Sequence, residues 1–165
     1  SKPNEQQMKE DALTVYEYLT QCVGIKESDI ILFGRSMGTG PTSYLATVKQ
    51  PHALLLMSPY TSIKDAAKSL LGWASFLSVI VYEKFRNIDH IKKAKCPVFF
   101  LHGRLDTLIP CSHSEELHAN CASESFLHMP PKMDHNEFEL DEDLIEPFKD
   151  FLNKLKQKGG ALSVE

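Results

Sequence analysis

Three short runs of this 165-residue chain are apolar without interruption, and they limit its fold more than any other feature: Ile30 to Phe33, Ala53 to Met57, and Val98 to Leu101. A strand with one wet face alternates apolar and polar residues. A run with no polar position has both faces buried, as in a parallel sheet covered by helices on its two sides. Helical spacing fills the gaps. Met8, Ala12, Val15, Tyr16 and Leu19 mark one face of a first helix, with Glu5, Glu10 and Asp11 towards its start. Pro41 to Lys49, two or more segments within Thr61 to Arg86, Ser112 to Asn120, and Asp141 to Gln157 continue the helical pattern, and Ser125 to His128 adds a fourth short strand. Strands alternating with helices predict an α/β fold, a mostly parallel sheet with helices on both faces.

Composition narrows the function. The chain is 42% hydrophobic and 24% charged, ordinary for one soluble domain, and no linker divides it. Residues 1–158 read as one unit with a helical insertion at about 61–90, and 159–165 as a flexible tail. A net charge of −4 without a Lys/Arg block gives nucleic acid nothing to bind. The short basic patches at 91–95 and 154–158 read as solvated element ends. Cys22, Cys96, Cys111 and Cys121 form no C-x-x-C pair, so zinc-ribbon and thioredoxin readings lack their spacing. Free thiols in a reducing, cytoplasmic setting are the expectation, with no metal and no cofactor. The start shows no signal-peptide pattern.

The chemistry is carried by Gly34-Arg35-Ser36-Met37-Gly38, a G-x-S-x-G between the first apolar run and the next helical segment. In that context the serine sits on a strained strand-to-helix turn with its hydroxyl above the sheet edge, and the flanking glycines avoid collisions. The following helix start aims N–H groups, Met37 first, at developing negative charge. A serine hydroxyl needs a base, and the base a carboxylate. On such an elbow they follow in the order Ser, Asp or Glu, His. Asp106 lies on the loop after Val98–Leu101, and His135 on the loop after Ser125–His128, both leaving the edge that presents Ser36. His102 reads as packing beneath the acid loop. His113 and His118 fall on a helix, His52 precedes a strand and His90 lies near a turn; His128 is an alternative base, but it ends a strand and is not carried on the following loop. Asp134 adjoins His135 too closely in sequence to grip its ring.

The order of Gly34 to Pro41, Ser58-Pro59-Tyr60-Thr61-Ser62-Ile63, His102-Gly103-Arg104-Leu105-Asp106 and His135-Asn136 resembles the α/β-hydrolase superfamily. Within it, the chain is similar to the α/β-hydrolase domain-containing protein 17 group, which removes palmitoyl groups from protein cysteines. The similarity runs from the first helix to about Leu155. It departs from the group's pattern at Arg35, at Gly40 and at 130–134. The resemblance implies an α/β-hydrolase fold whose N-terminal strands are missing from this chain, and a triad of Ser36, Asp106 and His135. Met37 then supplies one oxyanion-hole N–H, and the second donor is expected from an early loop that residues before Met8 cannot form.

The expected function is therefore a serine hydrolase cleaving acyl esters or thioesters, with protein depalmitoylation as its specific form. A peptidase-like or small-ester hydrolase, and a non-catalytic binding module, stand as alternatives. The expected partner is an acylated small molecule or protein, with no nucleic acid. Leu70, Leu71, Trp73, Phe76, Leu77, Val79, Ile80, Val81, Tyr82 and Phe85 make the insertion apolar, yet it is too short to span a bilayer. It suits either packing on the sheet or a cap that shapes an acyl pocket and touches a membrane surface. Membrane association through the missing N-terminus is a further expectation, and oligomeric state is left open.

Overall fold

The computed structural model describes residues 4–71 and 85–161. Four strands, β1 (Ile31–Arg35), β2 (Ala53–Met57), β3 (Val98–Leu101) and β4 (Ser125–His128), form one all-parallel sheet in the order β1-β2-β3-β4. The helices between and around them are α1 (Glu5–Glu17), α2 (Thr39–Val48), α3 (Ile63–Leu71), α4 (Asn87–Ile91), α5 (Ser112–Ala119) and α6 (Glu146–Ala161). Asn4 caps α1 by accepting from Gln7 N–H at 2.8 Å.

Period-2 alternation sorts the strand side chains into two cores. Leu54, Leu56, Val98 and Phe100 pack with Ala46 of α2, Ile88 and Ile91 of α4, and Leu117 of α5. Ala53, Leu55, Met57, Phe99 and Leu101 pack with Phe151 of α6 and with Met133. Every residue of β2 and β3 is buried, as their uninterrupted apolar runs require.

β1 departs from the expectation of a strand buried on both faces. Leu32 joins the first core, but Ile31 is 43% and Phe33 55% exposed. The second core draws its sheet residues from β2 and β3, and no described residue covers that face of β1 or pairs with its outer edge. The strand also starts one residue late and runs through Gly34 and Arg35, into the motif itself. On α1 and just beyond it the expected face is the covered one, with Tyr16 buried and Met8, Ala12 and Leu19 half-buried, except at Val15, which is exposed. The closing helix is preceded by a wider turn at Leu140–Ile145.

The insertion opens with α3 and ends before α4. Residues 72–84, with Trp73, Phe76 and the apolar residues that follow, lie outside the described residues, as does the tail from 162. Its two ends meet: Ile88 N–H donates to Thr61 C=O at 3.1 Å. No described helix is long and apolar enough to cross a membrane.

The register decides where chemistry can occur. Arg35 is opposite Met57, Met57 opposite Leu101, and Leu101 opposite His128. All four strands therefore end in one row, and the loops leaving that row share one edge of the sheet.

Candidate active site

Ser36 follows the last residue of β1 with a left-handed φ of 49°. A non-glycine residue there is strained and persists only because its surroundings hold it. The hold is visible. A Cβ on Gly34 would lie 2.6 Å from Thr42 Oγ1 and 2.8 Å from the Gly38 carbonyl, so strand and helix approach this closely only over a glycine. Gly38 is different, since a Cβ there meets nothing within 4 Å, and the expected steric reason applies to Gly34 alone. A tight turn at Ser36–Gly38 leads straight into α2, which begins at Thr39 rather than Pro41.

Beneath the turn runs a chain of buried polar side chains. Thr39 Oγ1 donates to the Ser36 carbonyl at 2.6 Å, Asn87 Nδ2 donates to Thr39 Oγ1 at 3.0 Å, and Ser43 Oγ donates to Asn87 Oδ1 at 2.7 Å. His90 Nδ1, 3.2 Å from Ser43 Oγ, completes it. Because the Ser43 proton is committed to Asn87, the His90 nitrogen is the donor in that last contact. Thr39, Ser43 and Asn87 are fully buried.

Asp106 is buried on the loop after β3. Its Oδ1 accepts from Leu108 N–H at 3.0 Å and Ile109 N–H at 2.8 Å, and its Oδ2 meets His135 Nδ1 at 2.8 Å. Burial pushes the carboxyl up, but hydrogen bonds from His102, Ile109 N–H and His135 outweigh it and hold the group well below the usual carboxylate range. An ionised carboxylate only accepts, so the His135 proton sits on Nδ1 and its Nε2 keeps a lone pair. The loops that carry Asp106 and His135 are packed together. Arg104 N–H donates to the Pro130 carbonyl and Leu105 N–H to that of Met133, at 3.1 and 3.0 Å. A Cβ on Gly103 would run into the Met133 backbone.

The structure thus brings Asp106 and His135 into contact and places Ser36 at the same sheet edge. The Ser36 hydroxyl itself has no hydrogen-bond partner among the described residues. Its neighbour Arg35 supplies the link: Nη2 donates to the His135 carbonyl at 2.6 Å and to Asn136 Oδ1 at 3.2 Å. Met37 is 51% exposed beside Ser36, and its carbonyl accepts from Tyr60 Oη at 3.4 Å. Ser36, Met37, Tyr60, Ile63, Ala66 and Ile109 line a largely apolar cavity of about 260 Å³.

The rival histidines have other partners. His118 Nδ1 lies 2.9 Å from Ser125 Oγ, His113 Nδ1 lies 3.0 Å from Thr61 Oγ1, and His128 packs against Phe99. Asp134 caps its own loop, accepting from Asn136 and Glu137 N–H groups at 2.7 Å each. Arg35, Thr39, Asn87 and the carboxylate contact of His102 went unread in the sequence. Arg35 reaches a loop 100 positions away, and Asn87 a helix 48 positions away, distances across which a single sequence gives no signal.

No protein-family model matches the chain. It is similar to human alpha/beta hydrolase domain-containing protein 17B, with 29% identity over 153 residues, 93% of this chain and 51% of that protein. Among solved structures, it resembles an alpha-beta hydrolase from Vibrio vulnificus, with a TM-score of 0.70 and 22% identity over 94% of this chain and 57% of that one. It also resembles the esterase domain of a Rhodothermus marinus protein, with a TM-score of 0.65 and 14% identity over 88% of this chain and 68% of that domain. The chain spans about half the length of the curated relatives it matches.

Proposed function

We propose that this chain, which has an α/β-hydrolase fold and is similar to the alpha/beta hydrolase domain-containing proteins, provides the reaction centre of a serine hydrolase. Ser36 Oγ attacks the acyl carbon while His135 Nε2 takes its proton. Asp106 fixes the ring through Nδ1 and stabilises the imidazolium, which then returns the proton to the leaving group. Water, deprotonated by the same nitrogen, hydrolyses the acyl-enzyme and frees Ser36. Met37 N–H is the oxyanion donor this chain contributes.

The observation that carries the reading is the 2.8 Å bond between His135 and a buried, ionised Asp106 at the edge where Ser36 is strained. The missing Ser36–His135 hydrogen bond is compatible with it, since such bonds are often long before substrate tightens them. The apolar cavity beside Ser36 favours an acyl ester or thioester, and the relationship to the protein 17 group favours an acyl chain carried on a protein thiol.

Fluorophosphonate labelling of the full chain tests the proposal. The wild type labels, Ser36→Ala does not, and His135→Ala labels at least ~10³-fold more slowly. A folded wild type that never labels overturns the hydrolase reading and leaves a binding module.

A further inference from the structure

The buried histidine beside the acid is not accounted for by packing alone. His102 follows the last residue of β3 and is fully buried, with two hydrogen bonds of 2.7 Å. One joins Nε2 to the Ile109 carbonyl, and a carbonyl only accepts, so Nε2 carries a proton. The same nitrogen lies 3.3 Å from Asp106 Oδ2. With Nε2 protonated, the neutral ring leaves Nδ1 as an acceptor, so fully buried Ser114 donates to it. Two buried partners thus fix one tautomer, whose Nε2–H bonds the Ile109 carbonyl and lies beside the acid.

We propose that His102 is a positioning residue for the acid, holding the Asp106 carboxylate in the orientation that His135 requires; the proposal rests on the serine-hydrolase reading above. The carboxylate is then fastened on both oxygens. Leu108 and Ile109 N–H groups hold Oδ1, while His135 bonds Oδ2 and His102 Nε2 lies 3.3 Å from that same oxygen. His102 also holds the Ile109 carbonyl, and Ile109 walls the cavity beside Ser36, so one ring ties the acid to the pocket. The other titratable and charged groups around this pair are His113 on α5, Asp134 on the base loop, and Arg35 at the His135 carbonyl.

Three substitutions in the full chain separate positioning from packing. Gln at 102 places an amide donor near the Nε2 position, Asn reaches only towards Ser114, and Leu fills space without donating. With a small acyl ester, His102→Gln should keep kcat within about fivefold of wild type. His102→Asn and His102→Leu should lose roughly 30-fold or more in kcat with KM little changed. Removing the donor also leaves more negative charge for His135, so the acidic limb of the rate profile moves to higher pH in those two variants. A folded His102→Leu with wild-type kcat and profile overturns the proposal, as does rescue by Asn equal to that by Gln. Should the larger changes unfold the chain, Ser114→Ala decides. It releases the tautomer and should lower kcat about three- to tenfold, whereas an unchanged kcat and profile overturns the proposal. Loss of wild-type labelling would instead sink the serine-hydrolase reading itself.

Discussion

Ser36 and Ser58 each follow the last residue of a strand with a left-handed φ, 49° and 47°, a conformation that costs a non-glycine residue about 1–2 kcal/mol. At Ser36 the strain accompanies the hydroxyl proposed as the nucleophile. At Ser58 no such role is visible, because the side chain is fully buried and its hydroxyl has no hydrogen-bond partner among the described residues. Ser58→Gly removes both the strained Cβ and the orphaned hydroxyl. It should stabilise the chain by about 1 kcal/mol, raising Tm by roughly 2–4 °C. A thermal melt showing a drop instead would mean that the Ser58 hydroxyl has a partner outside the described residues. Ser36→Gly relieves the same backbone strain, yet it removes the proposed nucleophile.

Elements are coupled through the polar chain from His90 on α4 to the Ser36 carbonyl, and that coupling has a pH signature. Burial first, then the nearby Lys9 charge, lowers His90 to about 4. Between its ordinary value near 6.5 and 4, the unfolded chain binds a proton that the folded chain refuses, so stability falls as pH drops through that window. His113 and His128, lowered by burial, act with the same sign. Asp106 adds a further loss below about pH 4, because its folded value lies under the unfolded one. Urea midpoints from pH 7 to 4 should therefore decline, and less steeply in His90→Gln; a variant as steep as wild type refutes the role given to His90. None of this was legible in advance. Contacts of Asn87 and His90 with α2 arise only when α4 docks, whereas the loops of Asp106 and His135 are legible from local order, one after the apolar run Val98–Leu101 and one after the short strand Ser125–His128. The full extent of β1 was hidden for another reason: Arg35 is polar, yet its backbone continues the ladder opposite Met57.

On the scale of the whole molecule, the two sides of the sheet are unequally covered. The outer edge of β1 is unpaired among the described residues, and Ile31, Phe33 and Val15 leave apolar surface exposed around it. An unpaired edge with apolar flanks is a template for association. The chain should self-associate in light scattering, and Phe33→Lys should reduce the effect. A monodisperse monomer at high concentration would contradict that reading of the edge. The apolar runs had announced a covered β1, because run length reports how much a strand is built to bury and not what lies over it. The Thr61–Ile88 hydrogen bond ties together the two ends of the insertion, and each end reaches the site: Ile63 and Ala66 wall the cavity beside Ser36, while Asn87 holds Thr39 beneath the elbow. The two roots of the insertion are therefore anchors rather than hinges: a change at Asn87 is transmitted to the Ser36 turn, and one at Ile63 to the cavity wall.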